Sequence, residues 1–120
     1  MVLASVHYYQ FVKEVCRTKV VWSIKDAGGF PAPRDAHGKR VMPFWSSAEM
    51  AKAFIAKTGS YSAFKPAQVT LEEFIDDWLP TLQEDGIGVG VNWPGAKGHG
   101  FDIDPHTLLG SIQKYLMTPG

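Results

Sequence analysis

Apolar side chains recur every three or four residues in several stretches of the chain, a spacing that predicts amphipathic helices. The clearest stretch runs from residue 71 to 79, where apolar residues fall on one helical face and acidic residues on the opposite face. The same spacing predicts a first helix over residues 5–17, a second from residue 46 to about 58, and a last one after residue 104. Pro80 lacks a backbone donor and disfavours helix at the residue before it, so a stop or kink is expected there.

Local start signals support three of these helices. Ser46 is predicted to cap the second helix, with Glu49 completing the reciprocal hydrogen bonds of a capping box. Thr70 and Glu73 repeat that pattern at the third helix. Asp104, followed directly by a proline, predicts the cap and first turn of the last helix.

Runs rich in valine, isoleucine and tryptophan predict strands. The predicted strands cover residues 20–24, 30–34, 39–45, 67–69, 87–93 and 101–103. The first three are separated by short turns, which predicts an antiparallel meander. The second of them contains two prolines, so it is expected at an edge or as an irregular segment. Gly88 and Gly90 alternate with apolar residues, which predicts that another group packs closely on that backbone or that the strand bulges.

The element order is α-β-β-β-α-(β)-α-β-β-α, which predicts an α+β fold: a mainly antiparallel sheet of about five strands with helices packed on it. The 120 residues, 45% of them hydrophobic, are expected to form one domain, residues 1–120. Cys16 is the only cysteine, so no intrachain disulfide is predicted, and its interpretation is a small core residue rather than a reactive thiol. Without a basic leader or a long apolar run, a cytoplasmic protein with no membrane partner is expected.

Charge is balanced overall but unevenly distributed along the chain. Residues 1–65 hold ten basic and four acidic residues, whereas residues 66–120 hold two basic and eight acidic residues. The basic residues are scattered singly over several elements, which argues against nucleic acid as a partner.

Half of the acidic residues lie between residues 72 and 85. One interpretation is a solvated helix face. The other is a docking surface for a basic protein partner, with Glu73, Asp76 and Asp77 as candidate contacts, because complementary charge steers encounter.

Two of the four tryptophans stand where predicted elements end. Trp45 precedes the second helix, and Trp93 precedes a proline at the end of a strand. Such aromatic residues either seal the edge of a core or anchor a partner. Trp22 and Trp78 fit the core by their spacing.

The sequence contains no coherent catalytic constellation, and neither a cofactor nor a metal is predicted. The four histidines lack the spacing of a zinc site, and the glycines of residues 86–90 lie inside a strand pattern rather than at a strand-to-helix turn. A rival hypothesis places a ligand or enzyme site between the meander and the 93–100 loop. Its candidate lining is Arg34, His37, Trp45, Trp93 and His99.

Four blocks of the sequence together resemble a bacterial protein family. They are Val21-Trp-Ser-Ile-Lys-Asp26, Met42-Pro-Phe-Trp-Ser46, Leu71-Glu-Glu-Phe-Ile-Asp-Asp-Trp-Leu-Pro80 and Glu84-Asp-Gly-Ile87. In this order they are similar to the family of domain of unknown function 2750, from about Tyr8 to Leu116. The family has no established activity, so the resemblance implies no catalytic residues.

A second likeness links Pro43-Phe-Trp-Ser-Ser-Ala-Glu49 and Val91-Asn-Trp-Pro-Gly95 to the N-terminal domain of SseB-type proteins. Those carry an asparagine-proline-glycine turn, which Trp93 interrupts here. This likeness implies a binding or regulatory domain rather than an enzyme.

These observations predict a non-enzymatic module that binds a basic protein or regulates one, with an immunity-like role as one form. The alternatives are the ligand or enzyme site described above and a structural homo-oligomer. A monomer and a homodimer are both compatible with the sequence.

Overall fold

The computed structural model describes residues 2–95 and 101–117, with side chains described from residue 6 onward. The fold is α+β, as predicted from the sequence. The helices are α1 (Val2–Thr18), α2 (Ala48–Lys57), α3 (residues 71–85) and α4 (Pro105–Met117). The strands are β1 (Val20–Lys25), β2 (Val41–Phe44), β3 (Lys65–Thr70), β4 (Gly88–Val91) and β5 (Phe101–Ile103). A 3₁₀ turn, Gly59–Tyr61, follows α2.

The strands form two small sheets that meet at one residue pair. β1 pairs with β3 in antiparallel orientation, and β4 lies between β2 and β5, parallel to the former and antiparallel to the latter. The backbones of Trp22 and Trp45 exchange two hydrogen bonds, of 2.8 and 2.7 Å, which join β1 to the end of β2. The sheet order through this contact is therefore β3-β1-β2-β4-β5.

Pro43 explains why β1 and β2 do not pair further. In the register set by Trp22 and Trp45, Ile24 lies opposite Pro43, which has no N–H to donate. The carbonyl of Pro43 instead accepts a hydrogen bond from the buried Ser23 hydroxyl at 2.9 Å. A side chain thus replaces the missing strand hydrogen bond.

The predicted meander is wrong in its middle and in its pairing. Residues 30–34 form no strand, because Pro31 and Pro33 cannot donate to a neighbour. Only one bridge, between Arg34 and Arg40, remains of it, next to a hydrogen bond from the Val41 N–H to the Pro33 carbonyl. β1 takes its antiparallel partner from the segment predicted as the short strand 67–69, which is longer than expected. The sheet is mainly antiparallel, as predicted, and β2 and β4 form its parallel pair.

The helix starts follow the predicted signals with one correction. The Thr70–Glu73 capping box is present with both of its hydrogen bonds, and Asp104 caps α4 by accepting the N–H of Thr107 at 2.9 Å. In α2, however, the capping residue is Ser47, whose hydroxyl accepts the N–H of Met50. The predicted cap, Ser46, is buried one residue earlier and bonds to another part of the chain.

Helix α3 runs through Pro80 without stopping. It consists of a first turn, Leu71–Glu73, a π-helical turn, Phe74–Trp78, and an α-helical part, Leu79–Asp85. The wider π turn precedes the proline, where the regular bonding pattern lacks a donor. The helix ends at Gly86, whose φ of 70° allows the reversal into β4.

Two hydrophobic clusters lie on opposite faces of the sheet. The larger one joins α1, α3 and α4 to side chains such as Phe44 and Val89. The smaller one places Phe54 of α2 against Val41, Trp45 and Trp93. Consecutive residues of β2 therefore face different clusters, as the period of a strand requires.

Candidate functional site

The ends of the parallel strands β2 and β4 bring the two predicted tryptophans together. Trp45 follows β2, and its indole Nε1–H donates to the carbonyl of Trp93 at 2.9 Å. Trp93 in turn lies against Gly90, where an added Cβ would stand 2.4 Å from the Trp93 Cε2 atom. The group predicted to pack on the glycine face of β4 is therefore the indole of Trp93.

The side chain of Asn92 links the residue after Trp45 to the end of β4 by hydrogen bonds. Its φ is +49°, a conformation that asparagine tolerates better than most residues. Its Oδ1 atom accepts the backbone N–H of Ser46 at 2.9 Å, and its Nδ2 group donates to the Ser46 hydroxyl at 3.2 Å. Among the described residues, every buried side-chain nitrogen or oxygen has a hydrogen-bond partner.

The structure places Trp45 in the core and Trp93 at its boundary. Trp45 has no exposed surface, and Trp93 exposes 6% of its own. Of the two interpretations given for these tryptophans, sealing the edge of the core therefore applies to both side chains. Trp45 presents no surface to a protein partner, and Trp93 presents its small exposed part to a cavity.

That cavity lies on the α2 face of the sheet and has a volume of about 180 Å³. Of the side chains predicted to line a cleft here, it brings together Arg34 and Trp93. His37 and Trp45 do not belong to the described lining, and His99 lies outside the described residues. The described lining is Pro33, Arg34, Asp35, Val41, Phe54, Thr58, Tyr61, Trp93, Gly95 and Asp102.

The loop that carries Arg34 is fixed by its own hydrogen bonds. Asp35 Oδ1 accepts the backbone N–H groups of His37, at 2.8 Å, and Lys39, at 3.0 Å. The Lys39 bond, followed by the His37 bond, lowers the pKa of the Asp35 carboxyl, so this group stays ionised to lower pH. Arg34 Nη1 donates to the Gly38 carbonyl at 2.7 Å. The charged rim of the cavity is therefore held in place.

On the opposite wall, Asp102 accepts the indole N–H of Trp93 at 2.9 Å. Gly95 has a φ of +106°, and a Cβ there would stand 3.2 Å from the Lys57 Cβ atom. Glycine thus allows the chain after Trp93 to lie directly on the end of α2, which closes one side of the cavity.

A separate groove of about 320 Å³ lies on the other face, beside α3. Its lining is mostly apolar, with two carboxylates among the lining side chains. The lining residues are Met42, Asp77, Trp78, Thr81, Leu82, Asp85 and Ile87. Trp78 is half-buried and stacks edge-on against Phe30 and Phe44, with ring centroids 4.8 and 5.8 Å apart.

All six acidic side chains between residues 72 and 85 are exposed. Within residues 2–95 and 101–117 none of them forms a salt bridge; the one ion pair found there joins Arg17 to Glu14. Glu73 is partly used at the capping box, where its carboxylate accepts from Thr70. Asp77 is the predicted contact residue that also lines the groove.

Sequence patterns missed several of the polar groups that complete the cavity. Asp35, Tyr61 and Asp102 line the cavity, but they lie far apart in the sequence, on elements whose spatial neighbours the local pattern does not specify. The groove is easier to anticipate: the four-residue spacing of Asp77, Thr81 and Asp85 already places them along one helical stripe.

No group of three or more metal-binding side chains occurs within the part of the chain that the structure describes. In the same part, no helix is both long enough and apolar enough to cross a membrane.

Comparison with known proteins gives a family but no activity. No curated protein matches the chain. Among solved structures, Anabaena Tic22 (protein transport) is similar with a TM-score of 0.44 and 16% sequence identity, covering 68% of this chain. The chain spans 45% of the Tic22 chain, and so distant a likeness carries no argument about function. The family resemblance predicted from the sequence is confirmed: the model of DUF2750, a protein family of unknown function, matches residues 8–112, and the chain belongs to that family.

Proposed function

We propose that this domain binds a basic, amphipathic segment of another protein in the groove beside α3. The observation that carries the proposal is the groove itself, in which apolar surface from Met42, Trp78 and Ile87 adjoins the carboxylates of Asp77 and Asp85. Apolar side chains of a partner would be buried on that surface, and its lysines or arginines would meet the carboxylates.

Charge complementarity selects the partner's chemistry. The acidic residues of α3 are exposed and, among the described residues, unpaired by basic side chains, so they create a negative field around the groove. Such a field steers a basic partner to the site and repels an acidic one. Binding is therefore expected to weaken as salt increases, since the Debye length falls from about 30 Å at 0.01 M to about 8 Å at 0.15 M ionic strength.

The Trp78 indole N–H is the direct reporter of this groove. In a nitrogen–proton correlation spectrum of the labelled protein, a short amphipathic peptide of lysine and leucine should shift the Trp78 signal in a saturable way. A peptide with glutamate in place of lysine is the matched probe and should leave the signal unchanged at the same concentrations.

Two variants of equal net charge test the role of the helix. Asp76→Asn with Asp77→Asn removes two negative charges from α3, and Gln10→Lys with Gln68→Lys adds two positive charges at exposed sites elsewhere. The first pair of substitutions should weaken binding of the lysine peptide about three- to tenfold at low salt, because exposed ion pairs contribute about 0.2–1 kcal/mol each. If both pairs of substitutions weaken peptide binding equally, the effect depends on net charge alone and not on the helix. If the peptide shifts other signals but not that of Trp78, the groove is not the binding site.

A further inference from the structure

The cavity on the α2 face has a continuous aromatic wall. The Phe54 ring lies between the other two, with centroids 5.3 Å from Tyr61 and 6.1 Å from Trp93. Phe54 and Trp93 are almost fully buried and Tyr61 is half-buried, so these rings are held by the core.

Two carboxylates stand at this wall. Asp35 and Asp102 each use Oδ1 to accept hydrogen bonds, from backbone N–H groups and from the Trp93 indole respectively. No described residue donates to Oδ2 of either carboxylate. The guanidinium of Arg34 forms no salt bridge with them within the described residues and is held instead by the Gly38 carbonyl.

The charge of this lining selects a cation. Among the described lining residues, Asp35, Asp102 and Arg34 together carry a net charge of about −1, and aromatic rings attract an ammonium group placed over their faces. An anion would meet Arg34 but also two carboxylates. The volume of about 180 Å³ is smaller than that of drug-sized sites, which measure roughly 300–1,000 Å³.

We propose that the cavity between α2, the 34–39 loop and β5 binds a small organic ammonium compound. The charged head lies between the aromatic wall and the Asp102 carboxylate, and the remainder of the ligand contacts Val41 and Pro33. This site is on the opposite face of the sheet from the groove, so it does not depend on the proposed protein-binding function.

The decisive comparison uses the unchanged protein and two probes of the same shape. Choline carries a quaternary ammonium group, and 3,3-dimethyl-1-butanol replaces its nitrogen with carbon. Choline should shift the Trp93 indole N–H signal saturably at millimolar concentration, while the Trp78 signal on the other face stays in place. Equal shifts by the neutral alcohol would overturn the proposal, because the cavity would then select shape rather than charge.

Variants locate the charge that matters. Asp102→Asn keeps an oxygen for the Trp93 indole but removes the negative charge of this exposed side chain. It should weaken choline binding about two- to fivefold, because the ammonium group loses an exposed carboxylate as its partner. Asp85→Asn on the opposite face is the control and should bind choline as the unchanged protein does. Equal affinity of the Asp102 and Asp85 variants would contradict the site.

The same assay with n-butylamine compares the affinity of the cavity for a primary amine with its affinity for a quaternary one. Tighter binding of butylamine indicates that hydrogen bonds to the carboxylates dominate, and tighter binding of choline indicates that the aromatic wall dominates. Absence of a Trp93 shift with both amines would refute an ammonium site.

Discussion

The contact between Gly90 and Trp93 shows how one missing side chain shapes the cavity. The indole occupies the volume in which any other residue at position 90 would place its Cβ atom. From that position it donates to Asp102 and its own carbonyl accepts from Trp45. The position of one wall of the cavity therefore depends on a glycine in the middle of a buried strand.

Substitution of Gly90 by alanine tests this dependence. The added methyl group must displace the Trp93 ring, so we expect Gly90→Ala to lower the free energy of unfolding by about 1–3 kcal/mol, the usual cost of overpacking. Equilibrium urea unfolding followed by circular dichroism measures the change. The indole N–H signal of Trp93 should also move, since its bond to Asp102 is disturbed.

Gly110 is the matched control. It lies in α4, is exposed, and an added Cβ would meet no atom within 4 Å. Gly110→Ala should therefore raise the free energy of unfolding by roughly 0.5–1 kcal/mol through helix propensity. Destabilisation of both variants to the same extent would contradict the packing argument at Gly90.

For single residues, the sequence predicts the type of contact but not the residue that makes it. Alternation of glycine and apolar residues in β4 correctly predicts a close approach, because it is a local property of a strand. The identity of the approaching group depends on the turn at Asn92, whose positive φ directs Trp93 back onto its own strand. Nothing in the local pattern specifies that reversal.

Among the secondary-structure elements, helix starts are the most predictable features, because their determinants are a few neighbouring residues. The capping box of α3 and the aspartate cap of α4 are both confirmed. The error at α2 has a specific cause: Ser46 and Ser47 are adjacent and chemically equal, and the choice between them is made by Asn92, which bonds the Ser46 backbone.

The cap of α4 gives a prediction about pH. The hydrogen bond from the Thr107 hydroxyl, and then that from the Thr107 backbone N–H, lower the pKa of the Asp104 carboxyl. A lowered folded-state pKa means that the stabilisation is present above the unfolded value, about 3.9, and is lost as the pH falls through the folded value. The stability difference between the protein and Asp104→Asn should therefore shrink below about pH 4.

Thr107→Val provides the control for this titration. It removes the hydroxyl bond to Asp104 and retains the backbone bond, so part of the pH-dependent difference should remain. Urea unfolding at about pH 7, and at decreasing pH below about 5, where the stabilisation is lost as the carboxylate is protonated, measures both variants. A difference between Asp104→Asn and the unchanged protein that is constant with pH would show that the cap contributes no charge-dependent stability.

Strand partners are poorly predictable because they depend on contacts distant in sequence. Short turns predict that residues 20–45 pair among themselves, yet β1 pairs with β3, and the paired residues Val20 and Thr70 are fifty positions apart. The prolines at positions 31, 33 and 43 decide the outcome. Each removes a donor that the meander needs, and β1 pairs instead with β3, whose residues facing β1 all keep their N–H groups.

In the whole molecule, the outer edge of β3 bears on self-association. The Leu71 N–H donates to the Lys19 carbonyl, which shows which residues of β3 direct their backbone groups toward β1. Because this direction alternates along a strand, the backbone groups of Pro66, Gln68 and Thr70 face the outer edge. Pro66 has no N–H, and the Thr70 N–H bonds to Glu73. Two of the three outward positions therefore offer no free donor to a second chain, which disfavours pairing of this edge between copies.

Pro66→Val should expose the edge. The new backbone N–H restores an outward donor on β3, so we expect stronger concentration-dependent association than for the unchanged protein. Sedimentation velocity at several concentrations measures it. Ala67→Val, whose backbone faces Ser23 in β1, adds similar bulk without an outward donor and should not associate. Equal sedimentation of the two variants would show that Pro66 does not protect the edge.

The single contact between the two sheets has a mechanical consequence. Because Pro43 interrupts the strand bonding, the described residues of the β1–β3 pair and the β2–β4–β5 unit are hydrogen-bonded only through the Trp22–Trp45 backbones and the Ser23 hydroxyl. Rotation of one unit about this joint would break few backbone bonds in either. The angle between them is therefore set by side-chain packing of the helices on both faces, and amide hydrogen exchange at Trp22 and Trp45 would report directly how firmly that packing holds.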